Sequence, residues 1–105
     1  MLVLRLPNLV AGRDLADAML DRLERSFANE TVVVDARQAS SGSPSFASQL
    51  VQRTLVDGGA DALIIVGAPV RFAKHVTESA RASSVAGRLD LTDAMPRGIA
   101  PAVPA

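Results

Sequence analysis

The sequence predicts a small α/β domain with the element order β-α-β-α-β-α. Three short segments, residues 2–6, 31–35 and 62–66, are rich in apolar and β-branched residues, as is typical of strands. Between and after them lie segments whose apolar residues recur at helical spacing. Because these helices are long enough to cross over, the pattern predicts a mostly parallel or mixed sheet of about three or four strands with packed helices and right-handed connections.

The first strand and the first helix come from residues 2–27. The strand ends at Pro7, because proline cannot continue a ladder. Asp14 is the expected cap of the helix. The apolar residues of this helix recur at every fourth position, at Leu15, Met19, Leu23 and Phe27. Asn29 then turns the chain into the second strand, a continuous run of the kind found in strands covered on both faces.

The second helix is predicted to begin at Ser43 and Pro44. A serine hydroxyl accepts a backbone N–H at the N-cap, and proline suits the first helical position because it needs no hydrogen-bond acceptor there. The apolar stripe of this helix is Phe46, Leu50, Val51, Thr54 and Leu55, with Gln49, Gln52 and Arg53 facing outward. The segment Asp57-Gly58-Gly59 ends the helix.

The third strand, residues 62–66, leads to a third helix that opens at Pro69. The inner face of this helix is expected to carry Phe72, Val76 and Ala80, and its outer face Arg71, Lys74, Glu78 and Arg81. Residues 88–91 alternate polar and apolar, which predicts either a short edge strand or a surface segment. We therefore expect one domain over residues 1–91, followed by a flexible tail rich in proline and alanine over residues 92–105.

The composition excludes several classes of function. The 11 basic and 11 acidic side chains balance, so no net field attracts the chain to nucleic acid or to an anionic membrane. The only aromatic residues are three Phe, which disfavours a base-stacking surface, and there is no Cys for a disulfide, a thiolate metal site or a cysteine nucleophile. No apolar run is long enough to span a membrane. We expect a soluble cytoplasmic protein.

The serine-rich turn between the second strand and the second helix is the predicted functional site. Backbone N–H groups and hydroxyls at such a junction suit an anion, a phosphorylated serine or a partner protein. Ser43 has two interpretations, as the helix N-cap and as a phosphoacceptor, and both can hold at once. Ser45 is the alternative acceptor. Ser40 and Ser41 are interpreted as solvated loop residues.

The residues of this region also resemble a known family. The sequence Val32-Val33-Val34-Asp35 is followed, after a short loop, by Ser43-Pro44-Ser45-Phe46-Ala47 and then by Leu50. This order resembles the STAS-like domains of unknown function found in bacteria and their phages. Those domains are similar to the STAS modules of anti-sigma factor antagonists and sulphate transporters. The resemblance covers roughly residues 11–91, and residues 43–47 are its most specific part.

The resemblance implies a non-enzymatic switch domain that binds a protein partner through the strand-to-helix turn and the helix after it. In the antagonists that partner is a kinase-like anti-sigma factor ATPase. The antagonists are phosphorylated on a serine of an Asp-Ser-Ser-Gly motif at the start of the helix. The corresponding segment here is Gly42-Ser43-Pro44-Ser45-Phe46, which lacks the acidic residue and the glycine after the serines and has a proline between them.

Other polar residues favour structural roles. Asp35 at the end of a buried strand is interpreted as a cap of the turn over residues 37–42, with catalysis or metal binding as the alternative. His75, the only histidine, is expected on a solvated helix face. A triad of Ser43, His75 and Asp35 is disfavoured because the Gly-x-Ser-x-Gly elbow is absent. The glycines match neither phosphate-binding motif. We therefore expect no catalytic residue, metal or cofactor.

Three hypotheses follow. The first is a STAS-like interaction domain with Ser43, Ser45 and Phe46 at its contact edge, extended along the second helix by Gln49, Gln52 and Arg53. The second is a small α/β enzyme that holds a phosphorylated substrate at the same edge, with Asp35 as base and His75 or Arg71 as support. The third is a homo-oligomeric assembly module that pairs through an exposed edge of the sheet.

Overall fold

The computed structural model describes residues 2–23 and 26–94. The strands, in chain order, are β1 (Leu2–Arg5), β2 (Leu9–Val10), β3 (Thr31–Asp35), β4 (Ser41–Gly42), β5 (Ala62–Val66) and β6 (Leu89–Thr92). The α-helices are α1 (Arg13–Asp21), α2 (Pro44–Val51) and α3 (Val70–Ala82). A π-helical turn, Gln52–Val56, continues α2, and a 3₁₀ turn, Ala86–Arg88, precedes β6.

Four strands form a parallel sheet in the order β1-β3-β5-β6. Each neighbouring pair is joined through one helix, as the alternation of strands and helices predicted. The segment over residues 88–91 is indeed an edge strand, since β6 pairs with β5 from Leu63 opposite Leu89 to Val66 opposite Thr92. The predicted α/β class is confirmed.

The helices pack on one face of this sheet. In the register of the strands, the alternate residues Leu4, Val34 and Ile65 point to the same side, and all three belong to the main hydrophobic core. The same core contains the buried residues of all three α-helices. Val33 and Val66 point to the other side and are fully buried, yet they lie outside that core. The helices therefore cover one face of the sheet, and the full burial of Val33 on the other face confirms the prediction that β3 is covered on both faces.

A second, two-stranded parallel ladder lies after the ends of β1 and β3. In this ladder β2 pairs with β4, with Leu9 opposite Ser41 and Val10 opposite Gly42. Gly42 lies directly against the ring of Phe72, so the ladder is held onto the start of α3. Neither strand is predictable from the sequence, because two-residue strands carry no periodic pattern.

The first helix differs from its prediction. It is capped at Gly12, which has φ 83° and no side chain to accept a hydrogen bond, and Asp14 lies in the first turn. The helix ends at Asp21, and its buried residues are Ala16, Met19 and Leu20. A four-residue spacing advances about 40° beyond a full turn in an α-helix. The predicted apolar stripe therefore rotates away from the core before it reaches Phe27. Phe27 lies beyond the end of the helix and is buried there.

The other two helices follow their predictions closely. Ser43 is the N-cap of α2, with Pro44 at the first helical position. All residues of the predicted stripe are buried: Phe46, Leu50, Val51, Thr54 and Leu55. Phe72, Val76 and Ala80 are fully buried on α3, and its four predicted outer residues are exposed. Gly59, with φ 66°, lies in the turn after the helix.

The final segment of the chain lies mostly outside the described residues. Thr92, where the tail was expected to begin, is the last residue of β6. The prediction of a flexible tail over 95–105 falls on residues that the structure does not describe. Within the described part of the chain, no helix combines the length and the apolar character that a membrane crossing requires.

Candidate functional site

The predicted site lies where α1 and α2 begin beside the β2–β4 ladder. Gly12, the N-cap of α1, follows β2 closely, and Ser43, the N-cap of α2, directly follows β4. The ladder therefore places the two helix starts next to each other. We call this surface the rim, and define it by Leu9, Ser41, Ser43, Pro44, Ser45 and Val70.

Ser43 joins the two helix starts through one oxygen. Its Oγ accepts the backbone N–H of Phe46 at 3.1 Å, which caps α2. The same Oγ accepts the backbone N–H of Gly12 at 3.0 Å. The N-cap interpretation of Ser43 is confirmed, and the hydroxyl has a second structural role that the sequence did not predict.

Ser45 and Phe46 occupy different environments. Ser45 is half-buried, and its Oγ lies 3.4 Å from that of Ser43. No other hydrogen bond of its side chain is found within residues 2–23 and 26–94, so the Ser45 hydroxyl is the freer of the two. Phe46 is only 1% exposed, and its ring packs against Phe72 with centroids 6.0 Å apart. Its predicted place at the contact edge needs correction, because a buried ring presents no surface to a partner.

The polar residues of the second helix turn toward other parts of the chain. Gln49 Nε2 donates to Asp17 Oδ1 at 2.8 Å, and Arg53 forms ion pairs with Asp17 at 2.8 Å and Asp21 at 2.9 Å. The hydrogen bond from Gln49, with those from Arg53, holds the pKa of Asp17 below its ordinary value. Gln52 Nε2 donates to Asp57 Oδ1 at 3.0 Å. These side chains are half-buried, and Gln49 and Arg53 bind α2 to α1.

Two exposed apolar side chains belong to the rim. Leu9, on β2, is 68% exposed, and Val70, the first residue of α3, is 85% exposed. Leu9 lies beside Ser41, its partner in the ladder, and Val70 begins the helix that reaches the ladder through the contact of Phe72 with Gly42. Neither residue stands out in the sequence, since exposure depends on which contacts the fold provides.

Asp35 acts as the cap of its turn. Its carboxylate is almost fully buried, and Oδ1 accepts the backbone N–H of Arg37 at 3.1 Å. The Arg37 guanidinium donates to Oδ1 and Oδ2 at 2.9 and 2.8 Å. This side-chain hydrogen bonding, more than the nearby charge of Arg5, keeps the pKa of Asp35 below its ordinary value. The structural interpretation of Asp35 therefore has direct support.

The residues of the disfavoured triad are not brought together. The Asp35 side chain points to the sheet face opposite the helices, since it shares its register position with Arg5 and Val66. His75 lies on α3, which packs on the helix-covered face. Among residues 2–23 and 26–94, no group of three or more His, Cys, Asp and Glu side chains is arranged to hold a metal ion.

Comparison of this chain with protein-family models, with curated proteins and with solved structures finds no match.

Proposed function

We propose that this chain is a non-enzymatic STAS-like regulatory interaction domain, similar to an anti-sigma factor antagonist in a partner-switching pair. Its partner is a protein, in the first instance a kinase-like ATPase or anti-sigma factor. The observation that carries the proposal is the rim, where the exposed apolar side chain of Leu9 lies beside Ser41 and the Ser43 hydroxyl joins two adjacent helix starts. Exposed apolar side chains together with polar groups are the combination that protein interfaces use.

Exposed apolar surface supports a protein as the ligand. Leu9 and Val70 are the two most exposed large apolar side chains in the described part of the chain. Burying such side chains against a partner contributes roughly 25 cal/mol for each Å² removed from water. A small phosphorylated substrate would gain little from them, so their position favours the interaction domain over the enzyme.

The electrostatics of the rim favour regulation by a negative charge. The first turn of α2 contains no acidic residue, so the positive end of its dipole is not compensated there. A phosphoryl group on Ser45 would lie in this first turn and add about two negative charges at the helix start. The charge would stabilise α2 and repel an acidic partner surface. Ser45 is the better acceptor, because the Ser43 hydroxyl already accepts two backbone N–H groups.

To test the proposal, the chain is purified together with the product of the neighbouring gene. The affinity between the two proteins is then measured by isothermal titration calorimetry. Leu9→Ser and Val70→Ser are expected to weaken binding by about tenfold each, as truncations of buried interface side chains do. Val56→Ser is the matched control, since Val56 is 40% exposed at the far end of the second helix. Unchanged affinity in both rim variants contradicts the proposal.

Regulation is tested separately with ATP and any kinase-type partner. Mass spectrometry is expected to find one phosphoryl group on wild type and none on Ser45→Ala. Ser45→Asp is expected to weaken the complex, whereas Ser48→Asp, at a half-buried position further along α2, serves as the comparison. Phosphorylation that persists in Ser45→Ala and disappears in Ser43→Ala would assign the acceptor to Ser43 instead.

A further inference from the structure

A cavity of about 630 Å³ lies beside the first strand, away from the rim. It is lined by five consecutive residues, 3–7, and on the other side by α1 and the residues after it. Successive side chains of a strand point to opposite faces of the sheet. A cavity that touches residues 3, 4 and 5 of β1 must therefore lie against the outer edge of this strand, where the backbone N–H and C=O groups are.

This edge of the sheet is open among the described strands. β1 is the terminal strand of the order β1-β3-β5-β6, and it pairs with β3 on one side only. The opposite wall of the cavity is apolar, formed by Leu15, Met19 and Leu23. Leu15 and Leu23 are only half-buried and pack at the border of the core. An extended chain placed here would gain backbone hydrogen bonds and apolar contacts together.

Two arginines give the cavity a positive charge. Arg5 and Arg22 both line it, and none of the described lining residues is acidic. The side chains of Arg5 and Arg22 form no hydrogen bond or ion pair with any residue in the described ranges 2–23 and 26–94. Arg5 Nε is buried without an acceptor, and the nearby Asp35 carboxylate is already bound by Arg37. A buried N–H without an acceptor is rare in proteins, so the Arg5 guanidinium keeps an unsatisfied donor beside the cavity.

We infer that the edge of β1 binds an extended peptide segment of a partner protein, which adds as a fifth strand and directs a carboxylate to Arg5 and Arg22. The β1 backbone fixes the peptide in extended conformation, and the apolar wall accepts alternate side chains. The carboxylate pairs with the positive charge of the two arginines that line the cavity. This surface is independent of the rim, because none of the rim residues lines the cavity.

The probe is a displayed library of random short peptides, from which the peptides that bind the full chain are selected. Selected peptides are expected to alternate apolar residues and to contain Asp or Glu at a fixed position. Arg5→Gln and Ala18→Glu are each expected to weaken a selected peptide by about tenfold, as loss or reversal of a close charge pair does. Ala18 is an exposed helical residue that lines the cavity, so the Ala18→Glu variant is expected to fold like wild type. Ala82→Glu, at an exposed position of α3, is the matched control.

Methylation of the peptide backbone separates strand addition from simple charge attraction. Methyl groups on the amides that face β1 are expected to abolish binding, whereas methyl groups on the alternate amides leave it unchanged. In the complex, the amides of β1 are expected to exchange more slowly with deuterium. Selection of peptides with no acidic preference, or equal binding by both methylated forms, overturns the inference. A fatty acid that binds in the peptide's place without slowing β1 exchange overturns it too. So does a dimer of the chain with protected β1 amides in the absence of peptide.

Discussion

The hydroxyl of Ser43 accepts the backbone N–H of Gly12, 31 positions earlier in the chain, at 3.0 Å. The same oxygen caps α2 through Phe46. One side-chain atom therefore satisfies a backbone donor at the start of each of two helices. This relationship gives Ser43 a structural role at both helix starts, and it makes Ser45, the proposed phosphoacceptor, the natural comparison.

Replacement of Ser43 by alanine is expected to lower the free energy of unfolding by about 1 to 2 kcal/mol, because two backbone N–H groups lose their acceptor. Ser45→Ala is expected to change it by less than about 0.5 kcal/mol, since the Ser45 hydroxyl has only the long contact with Ser43. Urea denaturation followed by circular dichroism measures both. Equal effects of the two variants would show that the Gly12 and Phe46 hydrogen bonds contribute little.

Gly42→Ala is expected to destabilise the chain by about 1 to 3 kcal/mol, the usual range for overpacking. A Cβ at this position would overlap the ring of Phe72. Gly87→Ala is the matched control, because a Cβ there meets nothing within 4 Å and the backbone needs no positive φ. The control is expected to be neutral or to stabilise by up to about 1 kcal/mol. Thermal and urea unfolding measure the stability of the two variants. A Gly42→Ala variant as stable as wild type would contradict the prediction.

Phe46→Ala is expected to lower the free energy of unfolding by about 3 to 5 kcal/mol, as for other buried phenylalanines. The reason is the loss of core packing against Phe72, not the loss of a partner contact. Any weaker complex formation by this variant should therefore parallel its unfolded fraction. Binding measured under conditions where the variant is fully folded, for example at low temperature, would contradict this if it remained weak.

The lowered pKa of Asp35 predicts that the folded chain becomes less stable in acid. The pKa of Asp35 in the folded chain is below the ordinary value of 3.8, so the unfolded chain binds more protons in this range. The contribution of Asp35 to stability is therefore present above about pH 4 and is lost as the pH falls through the lowered pKa. Asp35→Asn is expected to be less stable at neutral pH and to show a shallower decline between pH 5 and about 2. Urea midpoints measured over that range, with Asp61→Asn as an exposed control, test the sign.

The elements that the sequence predicted correctly are those fixed by local rules. Ser43 and Pro44 form a helix cap that can be recognised from a few consecutive residues. The strands β3 and β5 can likewise be recognised from their own apolar residues, without reference to the rest of the chain. The β2–β4 ladder and the hydrogen bond from Gly12 to Ser43 join residues more than 30 positions apart. Local patterns carry no signal for such pairings, so the rim as a surface emerged only from the structure.

The positions of the candidate residues in the fold were therefore predicted only in part. The serines lie at the helix start, as expected, while Phe46 faces the core and Gln49 and Arg53 bind α1. Whether an amphipathic helix points a polar residue to solvent or to a neighbouring helix depends on how the helices pack. The orphaned Arg5 Nε was likewise beyond sequence analysis, since it depends on which acceptors lie nearby in three dimensions.

The π-helical turn after α2 explains why a four-residue repeat succeeds in one helix and fails in another. Phe46, Leu50 and Thr54 are spaced by four, as are Ala47, Val51 and Leu55, and all six are buried. In a regular α-helix this spacing drifts around the axis. The wider turn over Gln52–Val56 counteracts that drift, whereas α1 ends before its own repeat is complete. Deletion of one residue within 52–56 would convert the π-helical turn to a regular α-helix and turn Leu55 away from the core. Natural sequences that lack one residue at this point should therefore space their apolar residues by alternating threes and fours.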